Sequence, residues 1–151
     1  MKILSPLFLV ALVACTPTGR MNNLGEPLEI DPTRPPGGMM LIQILLENQS
    51  LPVKGTQCES GTGDNRRLQH RLAMLLGDGL DNPRVHTELL ADCQPNQYDL
   101  PSGGVIDAWQ CRLGVMLKAD KDEFGVGGSI YFGITKDTWK LVPVPEALRC
   151  T

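Results

Sequence analysis

Apolar positions along the 151-residue chain fall into distinct patterns. Met1-Lys2 opens onto a nearly unbroken apolar run from Ile3 to Ala14. A membrane-spanning helix needs about 20 apolar residues, so this shorter run behind a lysine has the shape of a secretory signal that is cut off. From Thr16 to Gly38 the chain reads TPTGRMNNLGEPLEIDPTRPPGG, rich in Pro, Gly and polar residues and without sustained periodicity. That composition predicts a flexible tether. At about 3.1 Å per residue for a Pro-rich segment, it would hold the downstream domain several nanometres from its attachment point.

The folded domain is expected over residues 39–151. Met39 to Glu47 (MMLIQILLE) is short, apolar and bounded by Gly-Gly and by Asn48-Gln49-Ser50, and it is read as a strand, although periodicity does not separate it from a helix. Asp64 can cap a helix whose Leu68, Leu72, Leu75 and Leu76 fall at i, i+4, i+7 and i+8, with Gly77 as its stop. From Arg84 to Cys93 the pattern changes to period two, with Val85, Thr87, Leu89, Ala91 and Cys93 on one face. Trp109, Cys111, Leu113, Val115 and Leu117 alternate again after a loop holding Pro101 and Gly103-Gly104, and Ile130, Phe132 and Ile134 alternate within Ser129 to Thr135. Lys136-Asp137 is the bend before a last strand, Trp139 to Val142. Strands in succession after one helix predict an α+β domain: a small antiparallel sheet in meander order with one packed helix.

Composition narrows the chemistry. Removing residues 1–14 takes away Lys2, so 14 basic residues become 13 against 17 acidic, a net charge of −4 for the mature chain. That balance argues against a nucleic-acid partner, whose affinity comes from phosphate neutralisation. Apart from Cys15, the cysteines are Cys58, Cys93, Cys111 and Cys150. An even set in an exported chain predicts two disulfides. Of the three possible pairings, Cys58 with Cys93 and Cys111 with Cys150 is preferred because each joins neighbouring elements. The gaps of 35, 18 and 39 residues contain no Cys-x-x-Cys pair, so no metal or cofactor is expected.

Leu12-Val13-Ala14-Cys15 resembles the lipobox of bacterial lipoproteins. The resemblance implies cleavage before Cys15, acylation of that cysteine and of its new N-terminus, and attachment to the membrane through more than one chain. Thr16 after the cysteine, rather than Asp, implies delivery to the outer membrane, facing the periplasm. A lipobox, a Pro-containing tether and a four-cysteine domain with a helix between its first two cysteines are also similar in layout to the outer-membrane sensor lipoprotein of the Rcs envelope-stress pathway. No functional residue can be carried over from that layout.

Candidate catalytic groups are sparse. No Gly-x-Ser-x-Gly elbow occurs. His70 and His86 lie 16 residues apart on different predicted elements, unlike a two-histidine zinc site, and are read as surface residues. Asp120-Lys121-Asp122-Glu123 and Asp78 with Asp81 lack calcium-loop spacing and are read as solvated turns. On the predicted helix, Arg66, Arg67, His70 and Arg71 gather opposite the leucines, beside Met74. They stand in the first turns, where the helix dipole disfavours cations. Two explanations remain: a contact surface for an anionic glycan, glycolipid or acidic envelope protein, or a solvated face balanced by nearby carboxylates.

The expected function is therefore that of a lipid-anchored, non-enzymatic envelope protein that binds another envelope component, as a sensor, assembly factor, inhibitor or immunity protein. The alternative is a wall or lipid hydrolase using carboxylates or a histidine converging in a pocket.

Overall fold

The computed structural model of the chain describes residues 20–22, 25–59, 66–77, 85–119 and 124–151. Three long period-two segments form the strands β1 (Val85–Asp99), β2 (Val105–Ala119) and β3 (Phe124–Thr135), and a short β4 (Leu148–Cys150) closes the chain. All pair antiparallel in the order β1-β2-β3-β4. One face carries Trp109, Cys111, Leu113 and Val115 from β2, Ile130, Phe132 and Ile134 from β3, and Leu148 from β4, all buried in one core. Two helices, α1 (Gly38–Glu47) and α2 (Leu68–Gly77), cover that face.

The first of these helices corrects the strand expected at Met39 to Glu47. Leu41, Ile44 and Leu45 are spaced i, i+3, i+4, and as a helix they bury completely as one stripe against the sheet. A strand would have sent Leu41 and Ile44 to opposite faces. Gly38 allows the helix to start close to the sheet, since a Cβ there would lie 3.0 Å from the Ala91 methyl. Asn48 ends it by donating from Nδ2 to the Ile44 carbonyl at 2.8 Å. On the outward side, Met39 and Leu46 remain 77% and 45% exposed.

Helix α2 lies where the leucine spacing predicts, with Leu68, Leu72 and Leu75 buried. Its predicted cap, Asp64, lies outside the described residues. What the structure places at its start is backbone: the N–H groups of Leu68 and Gln69 donate to the carbonyls of Leu51 (3.0 Å) and Gln49 (2.9 Å). The loop after α1 thus satisfies two of the donors that any helix leaves open at its first turn.

The four domain cysteines form two disulfides, but Cys58 pairs with Cys150 and Cys93 with Cys111. The expected pairing is corrected by register: Cys93 lies directly opposite Cys111 in the β1–β2 ladder. Cys150 on β4 then meets Cys58 in the loop that follows α1, where Gln57 bridges Arg149.

The strand expected at Trp139 to Val142 is reduced to a single bridge between Ile134 and Leu141. Trp139 adopts a positive φ of 49°, a conformation costing an L-residue about 1 kcal/mol or more. The bend at Lys136-Asp137 forms as expected, and Trp139 N–H closes it on the Thr135 carbonyl at 3.1 Å. Beyond it Pro143 and Pro145 leave no ladder donors, and a 3₁₀ turn, Pro145–Ala147, leads into β4. Val142, Val144 and Ala147 fold onto the other face of the sheet and bury Tyr98 and Ala108 in a second, smaller cluster.

The segment expected to be a tether lies against the domain from Arg20 onward. The Arg20 guanidinium sits 2.9 Å from the Glu47 carboxylate and donates to the Trp139 carbonyl at 3.0 Å. Leu28 N–H returns to the Arg20 carbonyl at 2.7 Å, and Leu28 and Ile30 pack on the core.

Candidate functional site

The loop 48–56 and the segment 141–148 approach each other across the end of the sheet and enclose a groove of about 420 Å³. Leu51, Pro52 and Lys54 line one wall, Val142, Pro143 and Pro145 the other, and Gly133 lies between them. A cavity of a few hundred Å³ with apolar walls and few polar groups is the usual form of a ligand site.

Both walls are fixed by their own backbone. On the first, Val53 N–H donates to the Arg66 carbonyl (3.3 Å), Thr56 N–H to Val53 (3.1 Å) and Gln57 N–H to Leu148 (3.2 Å). On the second, Val142 N–H donates to Gly133 (2.9 Å) and Ala147 N–H to Val144 (3.1 Å). The Cys58–Cys150 disulfide links the chain two residues past the end of each wall. Prolines on each side restrict the backbone further.

The basic residues of α2 take part in this scaffold. Arg67 donates from its guanidinium to the Ser50 carbonyl, and Arg71 Nε donates to the Cys58 carbonyl at 3.0 Å. Both bonds hold the loop that forms the first wall. Arg66 is half-buried and His70 is exposed on the same helix. The dipole cost of cations at a helix start is therefore set against carbonyls that need donors. Met74 lies outside the groove and is 56% exposed.

The remaining candidates from the sequence are dispersed. His86 belongs to β1, opposite Lys118. Asp78, Asp81 and the run Asp120 to Glu123 lie outside the described residues, as does Cys15. Among the described residues no three metal-binding side chains converge, and no helix is long and apolar enough to cross a membrane. Asp31 holds its carboxyl below the ordinary aspartate range, because the Thr33 hydroxyl (2.6 Å) and the Thr33 N–H (2.9 Å) both donate to it and Arg34 stands nearby.

One cluster has no counterpart in the sequence pattern. On the sheet face away from the helices, Arg112, Tyr131 and Arg149 stand in register across β2, β3 and β4. The Arg149 guanidinium lies 4.4 Å from the Tyr131 ring centre and that of Arg112 5.8 Å, within range of cation–π attraction. Arg112 Nε also donates to the buried Ser129 hydroxyl at 3.1 Å. Residues 112 and 131 fall on the polar phase of their strands, a signal visible only once the register is known. Comparison with known proteins finds no matching family model, no similar curated protein and no similar solved structure.

Proposed function

We propose that this chain is an envelope lipoprotein, anchored by lipid on Cys15, whose disulfide-stapled domain is a non-enzymatic module that binds another envelope protein. The observation that carries the binding role is the groove of about 420 Å³ between the walls at Leu51-Pro52 and Pro143-Pro145. Its walls are pre-formed, so little ordering entropy opposes a ligand that enters. Two disulfides support the exported location, because such bonds persist in oxidising compartments. The apolar signal run and Leu12-Val13-Ala14-Cys15 support the anchor.

The test places a photocrosslinking residue at Leu51, at Pro143 or, as a control, at Met74, in cells producing the full chain. The expected outcome is one discrete adduct from both groove positions and none from Met74, lost when Cys15→Ser removes the anchor. Equal labelling from Met74, or no adduct from either groove position, would reject the groove as the binding site.

A further inference from the structure

We infer that the outward side of α1, together with Met21, rests on the surface of the membrane that holds the lipid; this rests on the anchor proposed above. Covalent length carries the inference. Arg20 is fixed to the body of the domain by Glu47 and by the Trp139 carbonyl, with its side chain only 12% exposed. Cys15 precedes it by five residues. Whatever path those residues take, they reach at most about 17 Å. A free segment to Gly38 would have spanned 23 residues, or about 70 Å when extended. The domain is therefore moored against the bilayer, on the side from which Arg20 emerges.

That side is the flank of α1. The Arg20 guanidinium lies 3.9 Å from the Met40 sulfur and bonds Glu47, so Arg20 is held beside this helix. Met39, Gln43 and Leu46, at i, i+4 and i+7, form the helix's outward stripe, and Met21 next to Arg20 is 43% exposed. Methionine and leucine side chains are stabilised at the boundary of headgroups and acyl chains. Glu47, the one acidic residue in α1, is neutralised by Arg20 and accepts from Gln43 Nε2 at 3.0 Å. No uncompensated negative charge on α1 meets acidic headgroups there.

The experiment uses full, lipid-modified chain in vesicles of phosphatidylethanolamine and phosphatidylglycerol with brominated acyl chains. Tryptophan is introduced at Met39 or Leu46 on α1, or at Gln94 on the opposite face of the sheet, and its emission is read against the native Trp109 and Trp139. Met39→Trp and Leu46→Trp are expected to shift to shorter wavelength and to be quenched, while Gln94→Trp is not. A 20-residue Gly-Ser insertion between Gly19 and Arg20 should abolish the quenching while leaving acylation intact. Equal behaviour of α1 and Gln94 reporters in acylated protein, or quenching that survives the insertion, overturns the inference. Mass spectrometry of the same samples reports the anchor separately: no acyl chain on Cys15 would remove the proposed lipoprotein itself.

Discussion

Arg67 donates from its guanidinium to the carbonyl of Ser50, so a residue at the start of α2 holds the loop that forms one wall of the groove. A charged donor on a backbone carbonyl contributes about 1 kcal/mol at a partly solvated position. Arg67→Ala should lower the urea midpoint by an amount corresponding to that energy. It should also weaken photocrosslinking from Leu51, because the wall loses its fixed position. Unchanged crosslinking would show that the loop is held by its other bonds alone.

The two disulfides close loops of very different size, separated by 18 residues for Cys93–Cys111 and 92 for Cys58–Cys150. In the chain-entropy model they stabilise the fold by about 3 and about 4.6 kcal/mol. Replacing Cys58 and Cys150 together by alanine should therefore cost more than replacing Cys93 and Cys111. Peptide mapping without reduction should recover these two pairs, and a fragment joining Cys58 to Cys93 would contradict the fold.

Gly133 leaves no room for a side chain. A Cβ there would come within 2.6 Å of the Tyr98 ring, which is buried in one cluster with Val142 and Val144. Gly133→Ala should destabilise by about 1 to 3 kcal/mol through overpacking. Combining it with Tyr98→Ala should give a loss smaller than the sum of the two single losses, read from thermal unfolding as a double-mutant cycle.

Asp31 bears on acid behaviour. Its carboxyl is depressed by the Thr33 hydroxyl and N–H and by Arg34, so the folded form favours the carboxylate more than the unfolded chain does. That contribution is present at neutral pH and is lost as the pH falls through the depressed folded value. Carbon NMR should find Asp31 titrating below an ordinary aspartate, and Thr33→Val should return it towards the usual range. A normal midpoint in the native chain would exclude these hydrogen bonds in solution.

Much of the sheet was legible because period-two alternation at Leu89, Ala91 and Cys93, at Trp109 to Leu117 and at Ile130 to Ile134 has one reading. Helix α1 was not, because MMLIQILLE is apolar at all but two positions and satisfies a strand and a helix alike. Only the sheet that receives Leu41, Ile44 and Leu45 decides between them. The disulfide pairing was partly written in the chain: residues 93 and 111 are each nine positions from Ser102, the middle of the β1–β2 turn. The groove was illegible, since its walls lie about as far apart in sequence as the 92 residues that separate Cys58 from Cys150, the bond that joins them. Arg67 and Arg71 stood out as cations at a helix start, but each also donates to a backbone carbonyl, which a sequence pattern does not reveal.

The Cys58–Cys150 bond also settles how the domain bears load. In the anchored form proposed above, a pull from the membrane meets the Arg20 bonds to Glu47 and Trp139 first, then the packed segment around Leu28 and Ile30, and then the ten-residue α1. Peeling can proceed along that helix and the loop behind it as far as Cys58. There the chain is stapled to Cys150 in β4, which pairs with β3, so further peeling has to work against the sheet itself. The disulfide thus marks the point at which unravelling stops being local: the front of the domain can peel away while the four-stranded body behind the staple stays folded.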